Sequence, residues 1–184
     1  MLKKVVLITV AVLVGLIGLF CLVVALQPDT FSIQRTATMA APPEKVFAQI
    51  NDLQAWDRWT PWKKLDPNPT TTISTPSAGK GAKFTWSGND EIGEGTLEIL
   101  DSQPNERVEL EQAFVRPREG KATIVFTLMR EGEATHVIWK MEGKNGFMGK
   151  AVCMFMDMDA MLGSAFEQGL ANMKAAVEKE GAAK

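Results

Sequence analysis

"APPEKVFAQINDLQAWDRWTPW" occupies residues 41–62. Pro42 and Pro43 preset the first turn of a helix, because proline's fixed φ suits the opening position, and Val46, Phe47, Ile50 and Leu53 then recur at helical spacing. A helix of about 12 residues is expected. Gln54 to Trp59 has room for a second short helix, stopped by Pro61. Trp56 and Trp59 share a face of it and Trp62 follows the proline, so three of the five tryptophans fall within seven residues of a chain that has no tyrosine. Burying one such ring removes roughly 150–250 Å² from water, a gross gain of about 4–6 kcal/mol before chain entropy is subtracted. A packed corner, a ligand mouth and a partner surface would each use this cluster; packing is the commonest use of buried aromatics. Asp57 and Arg58 are expected on the solvated side, where a charge pair is worth little.

Upstream, Phe31 to Met39 alternates as a strand does, and Pro28 in "QPDT" separates it from an apolar run. That run, "VVLITVAVLVGLIGLFCLVVAL" from Val5 to Leu26, carries no charge. At 1.5 Å per residue its 22 or so residues cross a hydrocarbon core of about 30 Å. A retained transmembrane anchor is the favoured reading, because the apolar part of a cleaved signal runs only about 7–15 residues. Val23-Val24-Ala25 makes a weak cleavage site, and Phe20 precedes Cys21 where lipid attachment needs a small residue. Lys3 and Lys4 precede the run, and no basic residue follows it until Arg35, so the N-terminus belongs in the cytosol and the rest outside, in the periplasm for a bacterium. Gly15 and Gly18 are too close for a small-xxx-small dimer motif. The expected organisation is a cytoplasmic tip and anchor over residues 1–27 and one domain over 28–184.

Composition excludes several functions. With 46% hydrophobic and 23% charged residues the chain is globular, and a domain of roughly 155 residues buries about 70% of its unfolded surface without metal or disulfides. A net charge of -2 with no basic stripe argues against nucleic acid. Cys21 in the anchor and Cys153 near the C-terminal helix would be separated by the membrane boundary, so no internal bridge forms. One histidine, His136, supplies neither a Ser-His-Asp or Cys-His set nor a zinc site, and no EF-hand loop is present. Gly93 to Gly95, "GEG", reads as a bulge or turn rather than a phosphate loop. No cofactor or metal is expected.

Downstream, Thr70–Ser74, Ala82–Ser87, Glu94–Asp101, Arg107–Phe114, Ala122–Arg130 and Thr135–Gly143 are short antiparallel strand candidates, with hairpin connections at "SGND" and "REGE". Trp86 alternates with Ala82 and Phe84, and Trp139 with Val137 and Met141, so both should face inward. His136, with Ile138 and Lys140, should face solvent. One long helix is expected from around Gly149 to about Glu180, its inward ridge formed by Phe155, Asp159, Leu162, Phe166, Gly169 with Leu170, Met173 and Val177. Asp159 is out of place on that ridge, because an unpaired buried carboxylate costs several kcal/mol. It needs a partner, a wet cavity, or a position at the edge of the interface.

This element order, with "APPEKVFAQINDLQAWDRWTPW", "GKGAKFTWSGNDEIGEGTLEI", "WKMEGKNGFMGKAV" and "FMDMDAMLGSAFEQGLANMKAA", resembles the SRPBCC superfamily, within it a membrane-anchored bacterial polyketide cyclase/dehydrase-like subgroup. The resemblance implies an α+β helix-grip (START-like) fold: a curved antiparallel sheet of about seven strands around a long C-terminal helix, with a cavity between them and the second short helix beside its opening. Ten methionines would suit a cavity for variable apolar ligands; Met148, Met154, Met156, Met158, Met161 and Met173 lie on or near the helix, only Met161 and Met173 of them close to the edges of any lining, and ordinary core use is the favoured reading. The first functional reading is a tethered protein that binds a lipid, quinone or polyketide-like molecule. Its lining would be Trp56, Trp59, Trp62, Phe84, Trp86, Trp139, Met141, Phe155, Asp159, Leu162 and Phe166. One alternative is a cyclase/dehydrase-like enzyme with Asp159 as general base, its pKa raised by burial near Glu91, Glu94 or Lys140. It offers one carboxylate where such chemistry needs a positioned set, so catalysis is the lesser reading. The other alternative is an envelope adaptor whose Trp56/Trp59/Trp62 corner contacts a protein partner.

Overall fold

The computed structural model describes residues 2–182. The outer limits expected for the anchor and the domain, at Met1 and at residues 183–184, lie outside the described residues. The order is α1 (Leu2–Ala25), β1 (Thr30–Met39), α2 (Pro43–Asn51), two 3-10 turns (Ala55–Arg58, Trp62–Lys64), β2 (Thr70–Ile73), β3 (Lys83–Ser87), β4 (Glu94–Gln103), β5 (Arg107–Arg116), β6 (Gly120–Glu131), β7 (Ala134–Lys144), α3 (Phe147–Cys153) and α4 (Met158–Ala182). The strands form one antiparallel seven-stranded sheet in the order β1-β7-β6-β5-β4-β3-β2. Contacts divide the chain into two units, residues 2–31 with 145–157 and residues 32–144 with 158–182.

In the first unit α1 is long and apolar enough to cross a membrane, and only Val24 among its residues is buried. Val24 lies near the end that α3 packs against. Lys150 of α3 is 8% exposed; its Nζ donates to the Ala25 carbonyl at 3.3 Å and pairs with Asp29. A cation there meets the unpaired carbonyls of the last turn and the negative end of the helix dipole.

In the second unit the β4–β5 pairing has two irregularities, one between Glu94 and Gly95, where Val115 of β5 is the extra residue, and one between Ile99 and Asp101, where Leu100 of β4 is. A bulge increases local twist, so these curl the β2–β4 end inward. Gly95 permits the curl: a Cβ there would lie 2.6 Å from the Trp86 ring and 2.5 Å from the Ala113 carbonyl oxygen. Across the curved face α4 lays Phe166, Leu170, Met173 and Val177, all buried. The face-to-face stack of Phe166 on Trp139, with centroids 4.1 Å apart and planes at 6°, seats the helix on β7. Gly169 allows that approach, since a Cβ would stand 2.9 Å from the Trp139 ring and 3.4 Å from Pro61.

The single long helix expected from Gly149 divides in two. Its first part ends at Cys153, residues 154–157 turn, and α4 starts after Asp157, a residue type favoured just before a helix. Phe155 therefore stands in the break, 76% exposed, and is not on the inward ridge.

The tryptophan corner is a helix cap as much as a packing unit. The last carbonyls of a helix lack intrahelical partners. In α2 the Trp59 Nε1–H donates to the Gln49 carbonyl at 3.0 Å, the Trp56 Nε1–H to the Ile50 carbonyl at 2.8 Å, and the Gly79 amide to the Asn51 carbonyl at 3.1 Å. Both rings are buried, pack on each other at 4.9 Å, and meet Phe126 edge-on at 6.0 and 6.1 Å. Trp59→Ala should cost about 3–5 kcal/mol in urea unfolding. Trp59→Phe keeps most of the apolar area but strips the Gln49 carbonyl of its donor, so about 1–3 kcal/mol is expected. Equal stability of Trp59→Phe and wild type would show that the cap contributes nothing.

Candidate functional site

The inner face of the sheet is built in rows by strand register. Val108, Phe126 and Trp139 form one row, and Leu110, Ile124 and Met141 the next, all buried. The following row runs Ile73, Phe84, Leu97, Gln112, Ala122, Gly143, and beyond it Trp86, Gly95 and Phe114 are aligned. Burial weakens along this direction, since Ile73, Phe84, Gln112 and Phe114 are only half-buried. On α4 the same gradient appears: Phe166 is buried, and Leu162, one turn earlier, is half-buried.

Two aromatic clusters result. Trp56, Trp59, Phe126, Trp139 and Phe166 fill one half of the interior, with Trp139 5.0 Å from Phe126 and 5.6 Å from Trp59. That half is closed. In the other half Trp86 stacks on Phe84 at 6.1 Å and takes the edge of Phe114 at 5.6 Å, while its Nε1–H donates to the Ile92 carbonyl at 3.0 Å. Here the inner face presents Ala122 and Gly143 where a filled core would carry branched side chains, while the space over Gly95 is taken by the Trp86 ring. Gln112 projects from the middle of this half and makes no side-chain hydrogen bond among the described residues.

The expected lining therefore separates. Phe84 and Leu162 are half-buried and border the less covered half, in which Trp86 and Met141 are themselves buried, whereas Trp56, Trp59, Trp139 and Phe166 form the other, aromatic core. Trp62 sits half-buried in its own 3-10 turn and, among the described residues, joins neither cluster. With Trp56 and Trp59 buried, the corner presents only Trp62 toward any protein partner. Met148, Met154, Met156 and Met161 are exposed, and of the methionines expected on or near the C-terminal helix only Met173 is buried. Phe126, Phe114 and Gln112 had gone unremarked; each alternates with other inner-face residues on its strand, which is the signal that places it. Trp139 Nε1 and Gln49 Oε1 are buried and have no hydrogen-bond partner among the described residues.

Asp159 has the partner its position demanded. Arg35, on the inner side of β1, donates through Nη1 and Nη2 to the two Asp159 carboxylate oxygens at 3.0 Å each, through Nη2 to the Asp159 carbonyl at 3.1 Å, and through Nε to Glu167 at 2.7 Å. The guanidinium crosses α4 at Gly163, where a Cβ would stand 1.9 Å from Nη2. Asp159, Gly163 and Glu167 are spaced by four, one stripe of the helix. The bidentate bond to Arg35 holds the Asp159 carboxyl below the usual carboxylate range, and the two carboxylates push the Arg35 guanidinium up. Its side chain is 62% exposed. A buried general base with a raised pKa, the role expected of it in an enzyme, is the reverse of this arrangement. Farther along α4, Lys174 Nζ donates to the Thr38 carbonyl at 2.9 Å and the Ala40 amide donates to Glu178 at 2.8 Å, so β1 is tied to the helix at both ends. His136 Nδ1 lies 3.1 Å from Thr38 Oγ1 at the exposed side of the sheet. No group of three or more His, Cys, Asp or Glu among the described residues could hold a metal ion.

Comparison with known proteins agrees with this architecture. Residues 30–178 match the model of the family described as polyketide cyclase / dehydrase and lipid transport, and the chain belongs to that family. Among solved structures it is similar to protein CV1439 from Chromobacterium violaceum, at 20% identity and TM-score 0.55, covering 82% of this chain and 98% of that one. Protein MLL2253 from Mesorhizobium loti is similar at 14% identity and TM-score 0.60, covering 81% and 98%. DynU16, a putative protein in the dynemicin biosynthetic locus, is similar at 14% identity and TM-score 0.56, covering 82% of this chain and 48% of that one. At these identities the likeness is one of fold. No curated protein matches the sequence.

The Arg35 clamp predicts a pH dependence. Because the folded state lowers the Asp159 pKa, protons bind the unfolded chain more readily, and the pair's stabilisation is complete above the unfolded value of about 3.9. It is lost as pH falls through the lower folded value. Asp159→Asn should thus be less stable than wild type near pH 7, with the difference closing as urea unfolding is repeated at successively lower pH below about 4. A difference that stays constant down to pH ~2 would show that the carboxylate's charge is not what stabilises.

Proposed function

We propose that this member of the polyketide cyclase/dehydrase and lipid transport family is a membrane-tethered binding protein for an apolar small molecule, held against the half-buried inner face of β3, β4 and β5. The observation that carries the reading is the row Phe84, Leu97, Gln112, Ala122, Gly143, apolar apart from one free amide and only half-buried at Phe84, Gln112 and Gly143, next to a half that aromatic rings fill. Ligand sites of this kind are mostly apolar, with a few polar groups that orient the guest. Gln112 is suited to that role for a ligand with a carbonyl, hydroxyl or acid group at one end. The family's own description, with its cyclases, dehydrases and lipid transport, supports an apolar guest. Binding is favoured over catalysis because the one carboxylate considered as a base is exposed and ion-paired with Arg35.

α1 is read as the tether. It is uncharged from Val5 onward and exposes apolar side chains all round, as a lipid-facing helix does. Lys3 and Lys4 before the run support an N-terminus in the cytosol and a domain on the outer, in a bacterium periplasmic, side.

The reading is tested with the full chain in lipid nanodiscs containing a long-chain fatty acid that bears a diazirine. Photolysis should label peptides that contain Phe84, Phe114 and Ala122 as well as α1, and Ala122→Leu, which fills the row, should remove the sheet labels and spare those in α1. Labels confined to residues 2–25 would contradict the proposed site.

A further inference from the structure

The unit formed by residues 2–31 and 145–157 carries an apolar surface that the binding site does not explain. Phe147, Met148, Met154, Phe155 and Met156 are all exposed, five large apolar side chains within ten residues. They are not scattered on a water-facing surface, because α3 packs against the C-terminal end of α1. Lys150, capping the Ala25 carbonyl and paired with Asp29, marks the level at which α1 ends. Phe155 lies deeper. Its ring stacks on that of Phe20, with centroids 6.4 Å apart and planes at 26°. Phe20 precedes Ala25 by five residues, about 7.5 Å along the helix axis.

The depth decides the environment. The 24 residues of α1 are about 36 Å long against a hydrocarbon core of about 30 Å, so a centred helix keeps Phe20 inside the core. A ring packed on Phe20 from outside is then in hydrocarbon as well. The backbone permits this: the Met154 amide donates to the Lys150 carbonyl at 3.2 Å, and those of Phe155 and Met156 donate to the Val152 carbonyl at 3.0 Å each. A turn that enters lipid must carry its N–H groups already paired, and this one does. No charged residue lies between Lys150, engaged at the end of α1, and Asp157.

We infer that residues 147–156 are a second membrane element, with α3 at the outer headgroup level and the Met154–Met156 turn inserted beside α1 into the outer leaflet. The occupant of this apolar surface is the lipid bilayer itself. The inference rests on the reading of α1 as a span, and it gives the protein a fixed grip on the bilayer where a lone helix would leave a swivelling tether.

The test uses the full chain in phosphatidylethanolamine–phosphatidylglycerol nanodiscs. Both native cysteines are replaced by serine, and single cysteines are introduced at Met154, Phe155, Met156 and, as a water-facing reference, Asn68; each is labelled with an environment-sensitive fluorophore. At the three segment positions emission should shift to the blue and be lost to nitroxides on the lipid acyl chains more than to aqueous iodide, with the reverse at Asn68. Segment labels that behave like Asn68, in protein whose intact mass retains residues 2–25, would overturn the inference and leave the anchor standing. An intact mass lacking those residues would overturn the anchor reading, and this inference with it.

Discussion

The contact of Phe166 with Trp139 sets the rest of the interior. It brings α4 onto β7 at stacking distance, which Gly169 makes sterically possible, and it draws Phe126, Trp59 and Trp56 into one aromatic mass. These rings are buried against one another and leave none of their faces open. The other half of the sheet carries Leu97, Gln112 and Ala122 in one row, flanked by the half-buried Phe84 and Phe114. A closed half and an open half follow from where the large residues were placed along β6, β7 and α4.

The open half needs its helix held in place without a packed core beneath it. Arg35 supplies this. A bidentate bond to Asp159 and a second carboxylate on Glu167 fix the first turns of α4 to β1, the edge strand next to β7. Because the guanidinium is planar and forked, one side chain can hold two helix positions eight residues apart. The arrangement also explains why α4 carries Gly163 between them: any larger residue would displace the guanidinium. The carboxylate that looked like a catalytic base is a structural clamp.

Much of this was legible in the sequence. The succession of strands and helices along the chain, the inward sides of β3 and β7, and the ridge from Leu162 to Val177 follow from periods of two and of three to four residues, which burial imposes directly. The break between α3 and α4 was not legible, because Met154, Phe155 and Met156 are apolar and extend the helical pattern through the turn. Asp159 could be recognised as a residue in need of a partner, but Arg35 lies 124 positions earlier and only the fold brings them together. The capping of α2 by the Trp56 and Trp59 indoles was hidden for a similar reason: it depends on the path of the chain after Leu53, not on any local pattern. From sequence, ordinary core use is the favoured reading of the methionines near the C-terminal helix, yet Met148, Met154, Met156 and Met161 are exposed. An apolar composition does not say whether the apolar neighbour is protein, ligand or lipid.

Whether the less covered half of the sheet holds an apolar guest is tested most directly by native mass spectrometry of the full-length protein, released gently from its own membrane. A stoichiometric lipid, quinone or polyketide-like mass that dissociates on activation, and that is lost in Ala122→Leu, is the predicted result. Protein that carries no bound mass under several growth conditions, or that carries the same mass when Ala122→Leu has filled the row, would contradict the proposed site.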